Sequence, residues 1–461
     1  MRYISTRGQS PPLPFEDVML AGLAPDGGLY VPEQWPRLAD ATMLALRGAS
    51  YREIAHAVMA PFVQGSLPSA ELQRMIDDAY RGFNHPAVTP LVQLDANHWL
   101  LQLFHGPTLA FKDVAMQLLV RLLDFSLERR SRNATLICAT SGDTGGAAVE
   151  AFKLSRHCSL FVLHPRGRVS EVQRRQMTTV HSPSVHNLAI EGNFDDCQSI
   201  VKSLFNDADF RARVSLSGVN SINWARLVAQ AVYYVFAGLS LGAPARSVSF
   251  CVPTGNFGNV FAGYVAKMLG LPVERLIVAT NANDILDRVI STARYERAGV
   301  TPTMSPSMDI EVSSNFERIL FDASRRNPAV VRKLMSQLAK TGSFALPQVL
   351  HAAIVRKFSS GRTDEQATLS TIRTTFASSG ELLDPHTAVA YAVARNAPSG
   401  SAPMVTLATA HPAKFPDAVQ KGSGIRPELP PPMTGLMART EHFEVLPNDP
   451  HAVRKHILSR I

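Results

Sequence analysis

The sequence predicts an α/β protein with mainly parallel sheets, preceded by a small, mainly helical N-terminal domain. Three observations lead there. From about Trp99 onward, short apolar runs are each followed by a Gly-rich turn and then a helical pattern, the order of elements in an open parallel sheet. Up to about Asp95 the chain instead mixes turn-rich pieces such as Pro25-Asp26-Gly27-Gly28 with amphipathic helical stretches around 51–62 and 70–81. At 461 residues it exceeds what one simple core organises, so residues 1–95 are expected as one domain and 96–461 as the remainder, with an extension from about 421.

Four strand-to-loop units stand out. Residues 134–140 form a strand candidate that turns through Ser141-Gly142-Asp143-Thr144-Gly145-Gly146 into a helix expected from near Ala147. Residues 247–252 form another, turning through Thr254-Gly255-Asn256-Phe257-Gly258-Asn259 into a helix that ends near Gly270. Strands over 275–280 and 404–408 complete the set. In open α/β sheets ligands gather at the carboxyl ends of strands, where all four loops should lie. Segments 301–308, 359–364 and 397–403 read as surface connections, and the tail after Lys421, with three consecutive prolines at 430–432, as an extended wrap before a short last helix.

Composition narrows the function classes. An apolar fraction of 46% with 18% charged residues belongs to a folded globular enzyme. The net charge of +8 and pI near 9.4 come from scattered Lys and Arg without a basic stripe interleaved with aromatics, which argues against nucleic acid and fits an anionic small substrate. Cys138, Cys158, Cys197 and Cys251 are too few and too irregularly spaced for a disulfide framework or a CxxC metal site. With no signal-like N-terminus and no apolar run of about 18 residues, the cytoplasm is the expected compartment, with no membrane partner.

The chemistry-bearing residues follow. Lys112 stands where an apolar, turn-bearing segment, Phe104 to Phe111, enters a helical run. A helix N-terminus disfavours a cation and lowers its pKa, leaving more neutral amine for carbonyl chemistry; a solvated first-turn lysine is the alternative. The SGDTGG turn offers hydroxyls and stacked N–H groups suited to an anion, or is a plain turn capped by Thr144 or Asp143. The TGNFGN turn is the better phosphate cradle, yet neither a GxGxxG nor a Walker A pattern, so NAD and ATP drop out. Thr409 ends a strand where its hydroxyl meets a heteroaromatic nitrogen or is structural, and Asn223 and Arg226 open a long apolar helix, 227–239. No GxSxG elbow, HExxH pair or zinc-ligand spacing occurs, and no metal is assigned.

Taken together, the Lys112 segment, SGDTG, GNFGN and Thr409-Ala410-His411-Pro412-Ala413-Lys414-Phe415 resemble the motif set of threonine synthases, which are fold-type II pyridoxal-phosphate (PLP) enzymes. So do the openings 3–8 and 22–32, so that the resemblance runs from near residue 1 to about Asp417. It implies a two-lobed architecture and a Schiff base between PLP and Lys112. Gly255, Asn256, Phe257, Gly258 and Asn259 would then hold the cofactor phosphate, and Thr409 would face the pyridine nitrogen. Ser141, Gly142, Asp143, Thr144 and Gly145 would receive the substrate carboxylate or the cofactor ring oxygen. For the phosphate of O-phospho-L-homoserine the candidates are Lys414, Arg166, Arg168, Asn223 and Arg226. The assembly expected is a monomer or homodimer. Two other readings stand beside this one: a phospho-lyase relative that releases 2-oxobutanoate, and a silent metabolite-binding homologue, against which the presence of Lys112 counts.

Overall fold

Apolar runs become strands of two separate sheets in the computed structural model, which describes residues 1–398 and 400–461. The larger sheet has the spatial order Ser359–Arg362, Val273–Thr280, Val248–Pro253, Met404–Ala408, His98–Gln102, Leu91–Gln93. Neighbours are parallel except at the Leu91–Gln93 edge, which forms an antiparallel hairpin with His98–Gln102 across the expected domain boundary at 95. The smaller sheet is parallel throughout, in the order Glu444–Pro447, Val185–Glu191, Cys158–Pro165, Ala134–Ala139, Leu216–Gly218. Every residue of Val248–Pro253 is buried, as expected of a strand covered on both faces.

The helix Trp224–Ser240 joins the lobes. It is buried along almost its whole length and packs on the helices Gly258–Met268, Tyr51–Val63 and Lys112–Arg129. One continuous apolar core therefore includes Tyr3 from the N-terminal segment, Leu136 from the smaller sheet and Val252 from the larger. The N-terminal domain is bound into this core by specific contacts. Tyr3 donates its hydroxyl to the Phe62 carbonyl at 2.6 Å and stacks at a tilt on Trp224, with centroids 5.7 Å apart. Its own small sheet, Leu13–Pro14, Arg2–Ser5 and Tyr30–Pro32, is antiparallel.

Three elements differ from the sequence reading. The helix expected from Ala147 begins at Asp143, because Gly142, at φ +147°, turns the chain so sharply that the next residue already starts it. Ser359–Arg362 is an edge strand; its half-exposed, polar sequence lacks the apolar run that marks buried strands. Of the connection 397–403, residue 399 lies outside the described residues. In the tail, Glu444–Pro447 adds a parallel strand to the edge of the smaller sheet before the helix Pro450–Leu458. Among the described residues no helix is long and apolar enough to cross a membrane.

The tail is fastened to the helix Glu171–Thr178. Arg174 donates to both oxygens of Glu441, at 2.8 and 2.9 Å, and the Thr178 hydroxyl adds a bond at 2.6 Å. The Arg174 bond holds the Glu441 carboxyl below its ordinary range, so the carboxylate stabilises the fold above its unfolded pKa and this contribution is lost as pH falls through the folded one. Glu441→Gln should cost about 1–2 kcal/mol at neutral pH, after discounting for partial exposure. Denaturant midpoints of variant and parent should converge as pH falls below the ordinary glutamate range and through the lowered pKa of Glu441.

Candidate active site

Lys112 is the first residue of the helix Lys112–Arg129. The chain before it is held by the loop that follows the strand Met404–Ala408: Phe111 N–H donates to the Thr409 carbonyl at 2.9 Å, and His411 N–H to the Leu109 carbonyl at 3.0 Å. Asp113 turns back onto Thr108, accepting from its N–H and hydroxyl at 2.8 and 2.6 Å, and burial pushes its carboxyl up to about 6. Gly106 approaches Asp113 so closely that a Cβ there would sit 2.5 Å from it.

The Lys112 amine is nearly buried and donates to Asp143 Oδ2 at 3.2 Å and Ser307 Oγ at 3.4 Å. Lys414, fully buried, approaches Asp143 Oδ1 at 3.0 Å and donates to the Thr108 carbonyl at 2.7 Å. Gln173 Nε2 donates to the same Oδ1 at 2.8 Å. One carboxylate thus serves two ammonium groups. Burial lowers the Lys112 pKa; Asp143 opposes this, while Lys414 and Arg226 add to it. Burial would raise Asp143, but Lys112 and Lys414 outweigh it and hold the carboxyl well below the carboxylate range.

The two glycine turns have different construction. In the first, the Thr140 hydroxyl accepts from Gly142 N–H at 3.0 Å and Gly145 N–H at 2.9 Å, so those amides are already engaged. Gly142 and Gly145 are required by space: a Cβ would lie 2.5 Å from Gln173 and 2.4 Å from Met177 respectively. The donors left for a ligand are the amides of Ser141, Asp143 and Thr144 and the hydroxyls of Ser141 and Thr144. In the second turn, Ser313 Oγ donates to the Gly255 carbonyl at 2.9 Å and Asn315 N–H to the Asn256 carbonyl at 3.1 Å. In a trans peptide the N–H points opposite the carbonyl, so tying both oxygens on one side turns the Asn256 and Phe257 amides to the other. Phe257 holds φ +62°, and Gly258 begins the helix Gly258–Met268. None of the Gly255, Asn256, Phe257 and Gly258 amides donates to a protein acceptor among the described residues. Four unmatched donors at a helix N-terminus fit a phosphate. Asn259 is fixed by Tyr233 and Tyr234, whose hydroxyls donate to its Oδ1 at 2.6 and 2.9 Å, and its Nδ2 is buried without a partner.

The residues expected at the substrate phosphate take different places in the structure. Lys414 is engaged with Asp143 and the Thr108 carbonyl inside the site. Asn223 caps the helix Trp224–Ser240, accepting from Ala225 N–H at 3.0 Å and donating to the Met19 carbonyl at 2.9 Å, so both ends of its amide are structural. Arg166 pairs with Glu191 at the surface and Arg168 is exposed. Arg226 differs from these: it is buried, its Nε and Nη1 have no partner, and burial pushes its pKa down to about 10. Thr409 is buried, and its hydroxyl makes no bond among the described residues.

The loop 301–308, read as a surface connection, is folded into the site. Ser307 touches Lys112 and, at 3.3 Å, Asp143, and its carbonyl is 3.0 Å from where a Gly255 Cβ would be. Its N–H donates to His386 Nε2 at 3.1 Å, while His386 Nδ1 meets Asp384 at 2.8 Å, an arrangement that assigns the ring proton to Nδ1. Sequence reasoning missed Ser307, His386, Asp384 and Gln173; the only signal was the polarity of Asp384-Pro385-His386 at a helix start.

Three family models match successive parts of the chain: "Threonine synthase N terminus" over residues 2–80, "Pyridoxal-phosphate dependent enzyme" over 83–349, and "Threonine synthase, C-terminal" over 387–457. A threonine synthase of Pseudomonas aeruginosa is 53% identical over 451 residues, spanning 97% of this chain and 96% of the relative. The chain belongs to the threonine synthase family. The Saccharomyces cerevisiae threonine synthase is 40% identical over 90% of this chain and 88% of its own length. A solved PLP-bound threonine synthase from Brucella melitensis superposes with a TM-score of 0.98 at 55% identity, covering 100% of this chain and 99% of that one. The yeast structure gives 0.95 at 37%, covering 100% and 98%. The architecture is that of the PLP-dependent α/β enzymes, and the cofactor is pyridoxal phosphate. The tail from 421, in which the sequence offered no motif, lies largely within the C-terminal family match.

Asp143→Asn should destabilise the fold by about 3–5 kcal/mol, because two buried ammonium groups lose their shared counter-charge. In variants that remain folded without cofactor, the Lys112 amine should titrate lower than in the parent, since Asp143 is what raises it. The pH dependence of lysine acylation, followed by mass spectrometry at Lys112, measures this.

Proposed function

We propose that this protein converts O-phospho-L-homoserine and water into L-threonine and inorganic phosphate, with PLP carried on Lys112. The observation that carries this reading is the pairing of a buried amine of lowered pKa with a turn of four unmatched amides, both touched by one residue, Ser307. The amides of Gly255 to Gly258 would receive the cofactor phosphate. Thr409 would present an uncharged hydroxyl to the pyridine nitrogen, which leaves that nitrogen without a proton. When bound, the cofactor supplies an electron sink for negative charge at Cα and acidifies Cβ.

The protein's own groups do the rest. Lys112 takes the Cα proton and is positioned to move protons at Cβ and Cγ on the same face. Asp143 keeps the amine oriented while burial lowers its pKa, and Ser307 completes the amine's hydrogen bonds. Cβ loses a proton and the Cγ–O bond to phosphate breaks; later Cγ gains a proton, water gives its hydroxide to Cβ and its remaining proton to the released phosphate, and Cα regains its proton, which balances the reaction. Arg226 is the group for the substrate phosphate, since a buried guanidinium without a counter-charge gains most from an anion. The Ser141 and Thr144 hydroxyls, with the Ser141, Asp143 and Thr144 amides, are suited to the substrate carboxylate.

The purified protein should be yellow and release phosphate from phosphohomoserine; Lys112→Ala should abolish both. Mass spectrometry of the product decides the outcome of the second half-reaction, where 2-oxobutanoate in place of threonine would identify a phospho-lyase. Arg226→Ala should raise KM for phosphohomoserine at least tenfold while the visible absorbance persists. An unchanged KM would remove Arg226 from this role.

A further inference from the structure

A cavity of about 310 Å³ lies apart from Lys112, between the N-terminal segment and the body of the protein. Its volume is at the lower end for small-molecule sites, and domain interfaces are where such sites concentrate. Leu29 of the N-terminal segment forms one wall. Phe316, Met335, Leu338 and Phe344 add apolar lining.

Two cations reach this cavity, and they are not equivalent. Arg7 donates to both oxygens of Glu317, at 3.1 and 3.0 Å, and Thr6 donates to the same carboxylate at 2.6 Å. That acid and that guanidinium satisfy each other. Arg297 has no ion pair and no side-chain hydrogen bond among the described residues, and its exposed guanidinium stands at the rim. The cavity therefore combines one unmatched cation with an apolar interior, and its acid is already satisfied by three donors.

We propose that this cavity binds a small monocarboxylate with an apolar body, the carboxylate paired with Arg297 and the hydrocarbon against Met335, Leu338 and Phe344. A single available guanidinium matches a carboxylate bidentately, whereas a dianionic phosphate calls for a second donor that Arg7 does not have to give. Glu317, being satisfied, does not select for an ammonium group. Occupancy is transmitted over a short path. Ser313 lines the cavity, its N–H donates to the hydroxyl of Tyr295, another lining residue, at 2.8 Å, and its own hydroxyl holds the Gly255 carbonyl. A ligand that immobilises Tyr295 and Ser313 fixes the orientation of the phosphate-binding amides and slows cofactor loss.

The test uses the holoenzyme and 4-methylpentanoate, with 4-methylpentanol as the uncharged control, and is independent of which substrate is turned over. Calorimetry should show saturable binding of the acid, weakened at least tenfold in Arg297→Ala and for the alcohol. Ala339→Phe, at an exposed position of the lining, should fill the cavity and remove binding, while Lys112→Ala should retain saturable binding. The acid should also slow PLP loss from the parent at least twofold. Absence of saturable binding, binding that persists in Arg297→Ala and Ala339→Phe, or binding lost in Lys112→Ala would overturn the site. An unchanged rate of PLP loss would overturn the coupling.

Discussion

The sharing of Asp143 by Lys112 and Lys414 is the interaction on which the site depends. Burying two ammonium groups close together is costly, and one carboxylate offsets that cost only because every other atom around it is placed to help. Gln173 completes Oδ1, Thr108 completes Lys414, and Ser307 completes Lys112. These partners come from chain segments far apart in sequence, so the arrangement requires the whole fold. The same arrangement leaves the Lys112 amine with a lowered pKa beside a fixed counter-charge, which suits a group that must alternately hold and release a proton.

Much of this was legible in the sequence. Lys112, the two glycine turns and Thr409 sit on short motifs whose neighbours in sequence are also their neighbours in space, so local reasoning reached them. Lys414 was legible as a basic residue in the right loop but not as a structural partner, because its burial depends on Thr108 and Asp143, hundreds of residues earlier. Ser307 and His386 were not legible. A polar loop that folds inward has the same composition as one that faces water, and it is the contacts of Ser307 with Lys112, Asp143 and His386 that reveal the difference. The edge strands Ser359–Arg362 and Glu444–Pro447 escaped for a related reason: they gain their structure from a neighbouring strand and carry no apolar run of their own.

The lobes do not meet at a narrow hinge. The helix Trp224–Ser240 is buried between them and belongs to a core that also contains the N-terminal segment. Any relative movement of the lobes would have to keep this shared core intact. Arg226 lies in the first turn of that same helix. The residue proposed for the substrate anion is therefore built into a helix buried along almost its whole length.

The clamp between Arg174 and Glu441 has a consequence for biogenesis. The helix Glu171–Thr178 carries Gln173, which orients Asp143, and Gln176, which donates to the Thr108 carbonyl at 3.1 Å. Its outer face is fastened by residues some 260 positions later in the chain. A nascent chain still threading through the ribosome can assemble most strands of both sheets and yet lack the brace behind its reactive lysine. Competence thus arrives late in synthesis, after the surrounding scaffold has formed.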